Sequence, residues 1–298
     1  METPKNIFVK YKNNPVFGNS ELGTCFDVYV TKDNGRYRMD FSWRRKGALA
    51  VTFSDDGINW EEPTITLPLN MKSGWEDEVN RNCVLKIDGK YKMWYTGQAR
   101  GLSFIGYAES NDGINFQRLS DEPILIPERP WEKQSVMNPC ILFEDGVYKM
   151  WYAAGETYEP NVLAYAESND GIHWTRSPIN PIFTADKRNK YEQDRVGGCQ
   201  VVNVSGLGYL MFYIGYEDID TARICIACSK NGKTEWKRFK RNPIVSPVSE
   251  AWDADACYKP SFILDKNKIM LWYNGRRNRD EYIGLVTSDY NFSKDDFI

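Results

Sequence analysis

Asp27 stands alone in an apolar, strand-like run, Cys25-Phe26-Asp27-Val28-Tyr29-Val30. An isolated carboxylate in such a run must face a partner or a working channel, because burying it unpaired is costly. Comparable interruptions recur down the chain: Glu76-Asp77-Glu78 with Asn80 and Arg81, Glu132 with Asn138, Glu192 with Asp194 and Arg195, and Asp253 and Asp255 with Lys259. A second series, later in each interval, holds Trp43-Arg44-Arg45, Gln98 with Arg100, Glu156, Glu217-Asp218, and Arg276-Arg277 with Glu281. If both series meet at one opening, they supply two acids for proton transfer and displacement, donor forks for hydroxyls, and an indole plate for a sugar ring. Asp194 and Arg195 stand out because Gly197-Gly198 follows them and lets backbone approach a ligand closely.

Each of these residues also has a plainer reading as a solvated turn or a salt-bridge partner. Asp56, Asp112, Asp170, Asp88 and Asp145 each precede a glycine at a repeated place and read as turn formers. The Trp75-Glu76, Trp131-Glu132 and Trp252-Asp253 steps recur, so part of their meaning is architectural. The single histidine, His173, occupies a position where sister copies have Asn59 and Asn115, and one histidine cannot build a multi-histidine metal site.

The elements that would position these groups are written five times. An alternating apolar strand turns at Asp88-Gly89 or Asp145-Gly146 into a Tyr-x-Met-Trp-Tyr strand. A third strand then leads to an Ala-x-Ser-x-Asp-Gly-Ile-x-Trp close. The second strands begin at Tyr37, Tyr91, Tyr148, Tyr209 and Ile269, at intervals of 54, 57, 61 and 60 residues, the length of a four-stranded propeller blade. The expectation is an all-β, five-bladed β-propeller filling residues 1–298 as one domain. The fifth copy lacks its last strand. Phe8-Val9-Lys10-Tyr11-Lys12-Asn13-Asn14-Pro15-Val16 has the spacing of Trp236 to Ile244, so the N-terminal strand is expected to complete the last blade and remove two open edges.

Bulk properties narrow the function. A net charge of −3 with interspersed signs offers no basic stripe for nucleic acid. No apolar run is long enough for a membrane helix, and Met1-Glu2-Thr3-Pro4-Lys5-Asn6 lacks a signal profile, so a cytoplasmic location is expected, or a secreted or periplasmic one if a signal has been removed. Seven scattered cysteines read as reduced and structural. The Cys225 and Cys228 of a C-x-x-C step would face opposite sides of a strand and could not share a metal. No phosphate-cradling glycine loop precedes a helix, and neither a cofactor nor a metal is expected.

With its repeated Tyr-x-Met-Trp-Tyr strands and Asp-Gly-Ile-x-Trp closes, the chain resembles the five-bladed propeller glycoside hydrolases of families 43, 32, 68, 117 and 130 along its whole length. The resemblance implies a base or nucleophile at Asp27. At the place of a second family carboxylate this chain has Asn138-Pro139, and near a family acid it has Glu76-Asp77-Glu78. The expected roles are Asp27 as base or nucleophile, Asp194 as acid and Asp77 as a third, tuning carboxylate. Trp43 would be the ring platform, and Arg44, Glu76, Arg81, Asn138, Glu156, Arg195, Asp253, Lys259 and Arg276 would hold a small glycan. The expected activity is glycoside hydrolysis at the channel. A phosphorylase, a sialidase-like enzyme and a non-catalytic carbohydrate-binding propeller are the alternatives, and the oligomeric state is left open.

Overall fold

The computed structural model describes residues 7–157, 159–265 and 268–298; the leading segment Met1–Asn6, read above for a signal, lies outside them. Five antiparallel four-stranded blades follow one another as expected. Their innermost strands are Cys25–Asp33, Glu78–Ile87, Ser135–Glu144, Arg195–Val204 and Ala256–Asp265, and these touch in sequence around the ring. Blades 2 and 3 are also joined by a parallel bridge between Ser103 and Ser135. The fifth blade takes its outer strand from the N-terminus, with Val9 paired to Thr287 and Lys10 to Val286. Asn14 bonds both backbone groups of Leu285, as Asn180 does with Tyr165 and Asn242 with Ile226, so the proposed correspondence holds to the residue. The C-terminus adds a closure that the repeat pattern did not indicate, because Ile298 pairs with Arg238 of blade 4.

The apolar residues form a core between each pair of neighbouring blades, which is why the second strand is large and apolar on both faces. Cys225 and Cys228 lie in two different cores, as expected for opposite strand faces, and all seven cysteines are free and buried.

Two polar repeats lock this arrangement. In blades 2 to 5, the Tyr that ends the Tyr-x-Met-Trp-Tyr text of the second strand, or its variant, donates to a buried acid before the first strand, and the outer strand brings a cation to the same acid. Tyr95 and Arg118 hold Glu76, Tyr152 and Arg176 hold Glu132, Tyr213 and Arg238 hold Glu192, and Tyr273 and Lys10 hold Asp253. Glu76 and Asp253 are therefore corrected from glycan-holding residues to structural anchors within the blades, their carboxylates already occupied by a tyrosine hydroxyl and a cation. Blade 1 has Phe41 where the others have Tyr, and no such triad forms there. In the second repeat, the strand-two Trp reaches the Asp-Gly or Asn-Gly turn of the next blade. Trp94 donates to the Gly171 carbonyl, Trp151 to Gly232 and Trp272 to Gly57.

Candidate active site

Every innermost strand breaks its pairing register three residues or so from its start, between Phe26 and Tyr29, Asn80 and Cys83, Met137 and Cys140, Gly197 and Cys199, and Tyr258 and Ser261. A bulge at this place turns a side chain off the sheet. The bulged residues are Asp27, Arg81, Asn138, Gly198 and Lys259. The four with side chains hold φ values of 58°, 54°, 55° and 48°, a left-handed conformation that costs bulky residues energy. The neighbouring blades hold the strained backbone in place. The Arg81 amide donates to Ser42 Oγ at 3.1 Å, and the Asn138 amide to Thr96 Oγ1 at 3.1 Å.

These residues form the floor of a funnel, a space of about 30 Å³ lined by Asp27, Arg81, Asn138, Gly198 and Lys259 with Tyr216 and Tyr258. Above it opens a cavity of about 330 Å³, walled by Arg44, Arg195, Arg276, Glu159, Asp220 and Glu281. The two spaces share Arg81, Glu159, Tyr216 and Tyr258 and so are one site. Gly198 is required for its floor: a Cβ there would lie 2.6 Å from Asn138 Cγ.

Asp27 is 2% exposed; Ser42 Oγ donates to its Oδ2 at 3.2 Å, and Arg81 Nε lies 3.9 Å from Oδ1. Glu281, at the start of the third strand of blade 5, is the second buried carboxylate of the funnel. Burial is the main force raising its pKa, and the negative charge of Asp27 adds to it against the pull of Arg44. Its Oε2 is buried without a hydrogen-bond donor, the nearest cation being Arg44 Nη2 at 3.7 Å. Two buried carboxylates thus line the same funnel, and burial inclines Glu281 to keep its proton.

The funnel collects Asp27, Arg44, Arg81, Asn138, Arg195, Lys259 and Arg276 from the expected set. It leaves out the others. Asp194, the residue just before the strand, is part-exposed and bound to the Arg195 guanidinium, outside the funnel lining. Asp77 is exposed in a separate groove with Gln98 and Arg100. Glu156 is exposed outside the lining, and it is Glu159 of the same loop that reaches the funnel. Trp43 is buried in the core between blades 5 and 1, its Nε1 donating to the Leu22 carbonyl, and so presents no free ring to the funnel. The rings in the wall are Phe26, covered by the Arg44 guanidinium at 4.4 Å, Tyr216, covered by the Arg195 guanidinium at 3.9 Å, and Tyr258. Glu281 was visible in sequence only as one acid in an Arg-rich loop; its pairing opposite Arg276 across the hairpin is what turns it to the axis.

The fold agrees with a family-43 glycoside hydrolase of known structure (TM-score 0.75, 19% identity, 91% of each chain). It agrees equally with a GH130-family structure reported for hydrolases of β-1,2 mannosidic linkages in Candida mannan (TM-score 0.74, 15% identity, 93% of each chain). In sequence the chain is 24% identical over 268 residues to an uncharacterized protein of Mycobacterium tuberculosis, covering 85% of this chain and 84% of that one. It is also 34% identical over 138 residues to a 1,2-β-oligomannan phosphorylase of a Thermoanaerobacter species, covering 42% and 44%. Residues 30–192, more than half the chain and including two of the five bulges at the funnel floor, those at Arg81 and Asn138, match the glycosyl hydrolases family 32 N-terminal domain. The chain belongs to that family, within the superfamily of five-bladed propeller glycoside hydrolases and phosphorylases.

Proposed function

We propose that the protein cleaves a glycosidic bond at the end of a small glycan seated in the axial funnel, with Asp27 as base or nucleophile and Glu281 as the acid. The observation that carries this reading is the shared funnel of the two buried carboxylates, with Glu281 biased toward its protonated form. A protonated carboxyl can give its proton to a leaving oxygen while an ionised one attacks or activates the acceptor. The closed floor favours attack at a chain end over the middle of a polymer. Glu281 takes the role first expected of Asp194, which is engaged with Arg195 outside the lining.

Whether water or phosphate accepts the glycosyl group is the finer question. Hydrolysis is our first reading, and the partial sequence likeness to a mannan phosphorylase favours testing phosphorolysis beside it. A panel of aryl glycosides and mannose, fructose, arabinose and xylose oligosaccharides should be assayed with and without inorganic phosphate. Turnover that Asp27→Asn and Glu281→Gln each reduce by about 10²–10⁴-fold is expected. Full activity in either variant would remove that residue from the chemistry. Glycan binding without turnover would make the protein a lectin.

A further inference from the structure

The acid pair leaves the lysine of the floor unexplained. Lys259 is 3% exposed and lines the narrowest part of the funnel. Among the described residues, no side chain forms a hydrogen bond or ion pair with its ammonium. Asp27 is the one carboxylate whose charge reaches it favourably, and Asp27 is already shared with Ser42 and Arg81. Beside it, Asn138 Oδ1 is buried without a donor. On the wall, Arg195 Nε and Arg276 Nε are likewise buried and unpartnered. A desolvated cation held in a strained backbone conformation is costly to keep, and burial draws its pKa down. A neutral hydroxyl would satisfy one N–H of this group but leave its charge uncompensated, whereas an anion satisfies both.

We infer that the funnel takes an acidic sugar, with the sugar's carboxylate lowered onto Lys259 at the floor. The inference rests on reading the funnel as a glycan site. The lining as a whole carries five cationic side chains, Arg44, Arg81, Arg195, Lys259 and Arg276, against the four carboxylates Asp27, Glu159, Asp220 and Glu281. A monoanionic, planar carboxylate suits the floor better than a phosphate. The space there is about 30 Å³, near the share of one water molecule in the liquid, and Asp27 beside it would repel a dianion more strongly. The ring then sits above, in the larger cavity, within reach of Asp27 and Glu281. Gly198 keeps the floor open, since any side chain there would fill the space Asn138 lines.

The test is calorimetric titration with a panel of hexuronate-terminated oligosaccharides, each paired with its carboxyl-reduced, neutral counterpart, together with inorganic phosphate. At least one acid should bind about 10- to 100-fold more tightly than its reduced partner. Lys259→Met should cost that acid about 10- to 100-fold and its reduced partner much less, removing the difference between them, and Lys259→Arg should restore part of the difference. Equal binding of acid and reduced partner overturns the inference while leaving the glycan site standing, as does an equal loss of both in Lys259→Met. Phosphate binding with no preference for any sugar acid also overturns it, assigning the ammonium to a co-substrate. Failure of every glycan, acidic or neutral, overturns the glycan reading itself. The acid-versus-reduced comparison in the unaltered protein decides the matter even if Lys259→Met does not fold.

Discussion

At the scale of single residues, the funnel gathers side chains whose burial works against their charge. Glu281 shows what this implies for stability. Its folded pKa is raised by burial, so the folded chain holds its proton more tightly than the unfolded chain. The stability this group contributes is therefore complete below the ordinary glutamate range, about 4.3, and is lost as pH rises through the raised value. Glu281→Gln removes that loss. Its melting temperature should exceed that of the wild type at pH 7–8, and the gap should close as pH approaches 4. A variant that is less stable at neutral pH would show that the Glu281–Arg44 contact outweighs burial. Asp56 runs the other way. Backbone bonds from Asn59 and Ile58 hold its pKa well below the carboxylate range, so its contribution is present above the unfolded aspartate value, about 3.9, and fades in acid. Asp56→Asn should lower the melting temperature mainly above that range and leave turnover unchanged, since the residue is far from the funnel lining.

At the scale of elements, the repeated text carries more structure than its turn chemistry suggests. The Ser-x-Asp-Gly close forms a turn, as expected, through Ser110 Oγ and Asp112 Oδ1 bonds to the following amides. In the boxes of blades 1, 3 and 4 the glycine carbonyl is also the acceptor for the Trp of the preceding blade, so these boxes join two blades. Trp151→Phe would leave the Gly232 carbonyl buried without its donor, a loss of about 1–3 kcal/mol measurable by urea unfolding. The chain already has Phe212 at the corresponding place in blade 4, where the next blade has no Asp-Gly turn to reach. The acid–tyrosine–arginine triads are the stronger lock. Glu132 is fully buried with Tyr152 Oη at 2.7 Å and Arg176 Nε at 2.8 Å, and Glu132→Ala should cost about 3–5 kcal/mol because both partners are left uncompensated. A cost below about 1 kcal/mol would mean that water replaces the carboxylate freely.

For the molecule as a whole, closure of the ring depends on Lys10, which stands in the triad of blade 5 where the other triads have arginine. It lies 2.5 Å from Asp253, and Phe8 enters the core between blades 4 and 5. Deleting residues 1–16 would expose the edge of Asp280–Ser288 and orphan a buried aspartate. The truncated chain should therefore melt far below the full one; an unchanged melting curve would show that the clasp is dispensable. Closure also protects the thiols. Burial pushes Cys25 and Cys199 up to about 12 and Cys83 up to about 11, so little thiolate exists near neutral pH. The native protein should resist a thiol reagent, and all seven cysteines should react after unfolding.

The four intervals of 54 to 61 residues and the alternating strands determined the propeller, its blade boundaries and even the N-terminal strand that completes it, because each blade repeats one local solution to burying two sheet faces. The candidate floor residues Asp27, Arg81, Asn138 and Lys259 were legible for a related reason: they are polar where the innermost strands are otherwise apolar. Which acids meet across the axis was decided only by the folded ring. Asp194 and Glu281 look alike in the chain, both acids within two residues of an arginine. Glu281 lies within a hairpin strand opposite Arg276 and lines the funnel, whereas Asp194 lies just before its strand and is held by Arg195. The same holds for Glu76 and Asp253, whose acid type signalled ligand binding until a tyrosine some 20 residues later and a cation from the outer strand claimed them. A carboxylate's role depends on which partners the fold brings within about 3 Å, and those partners come from distant parts of the chain.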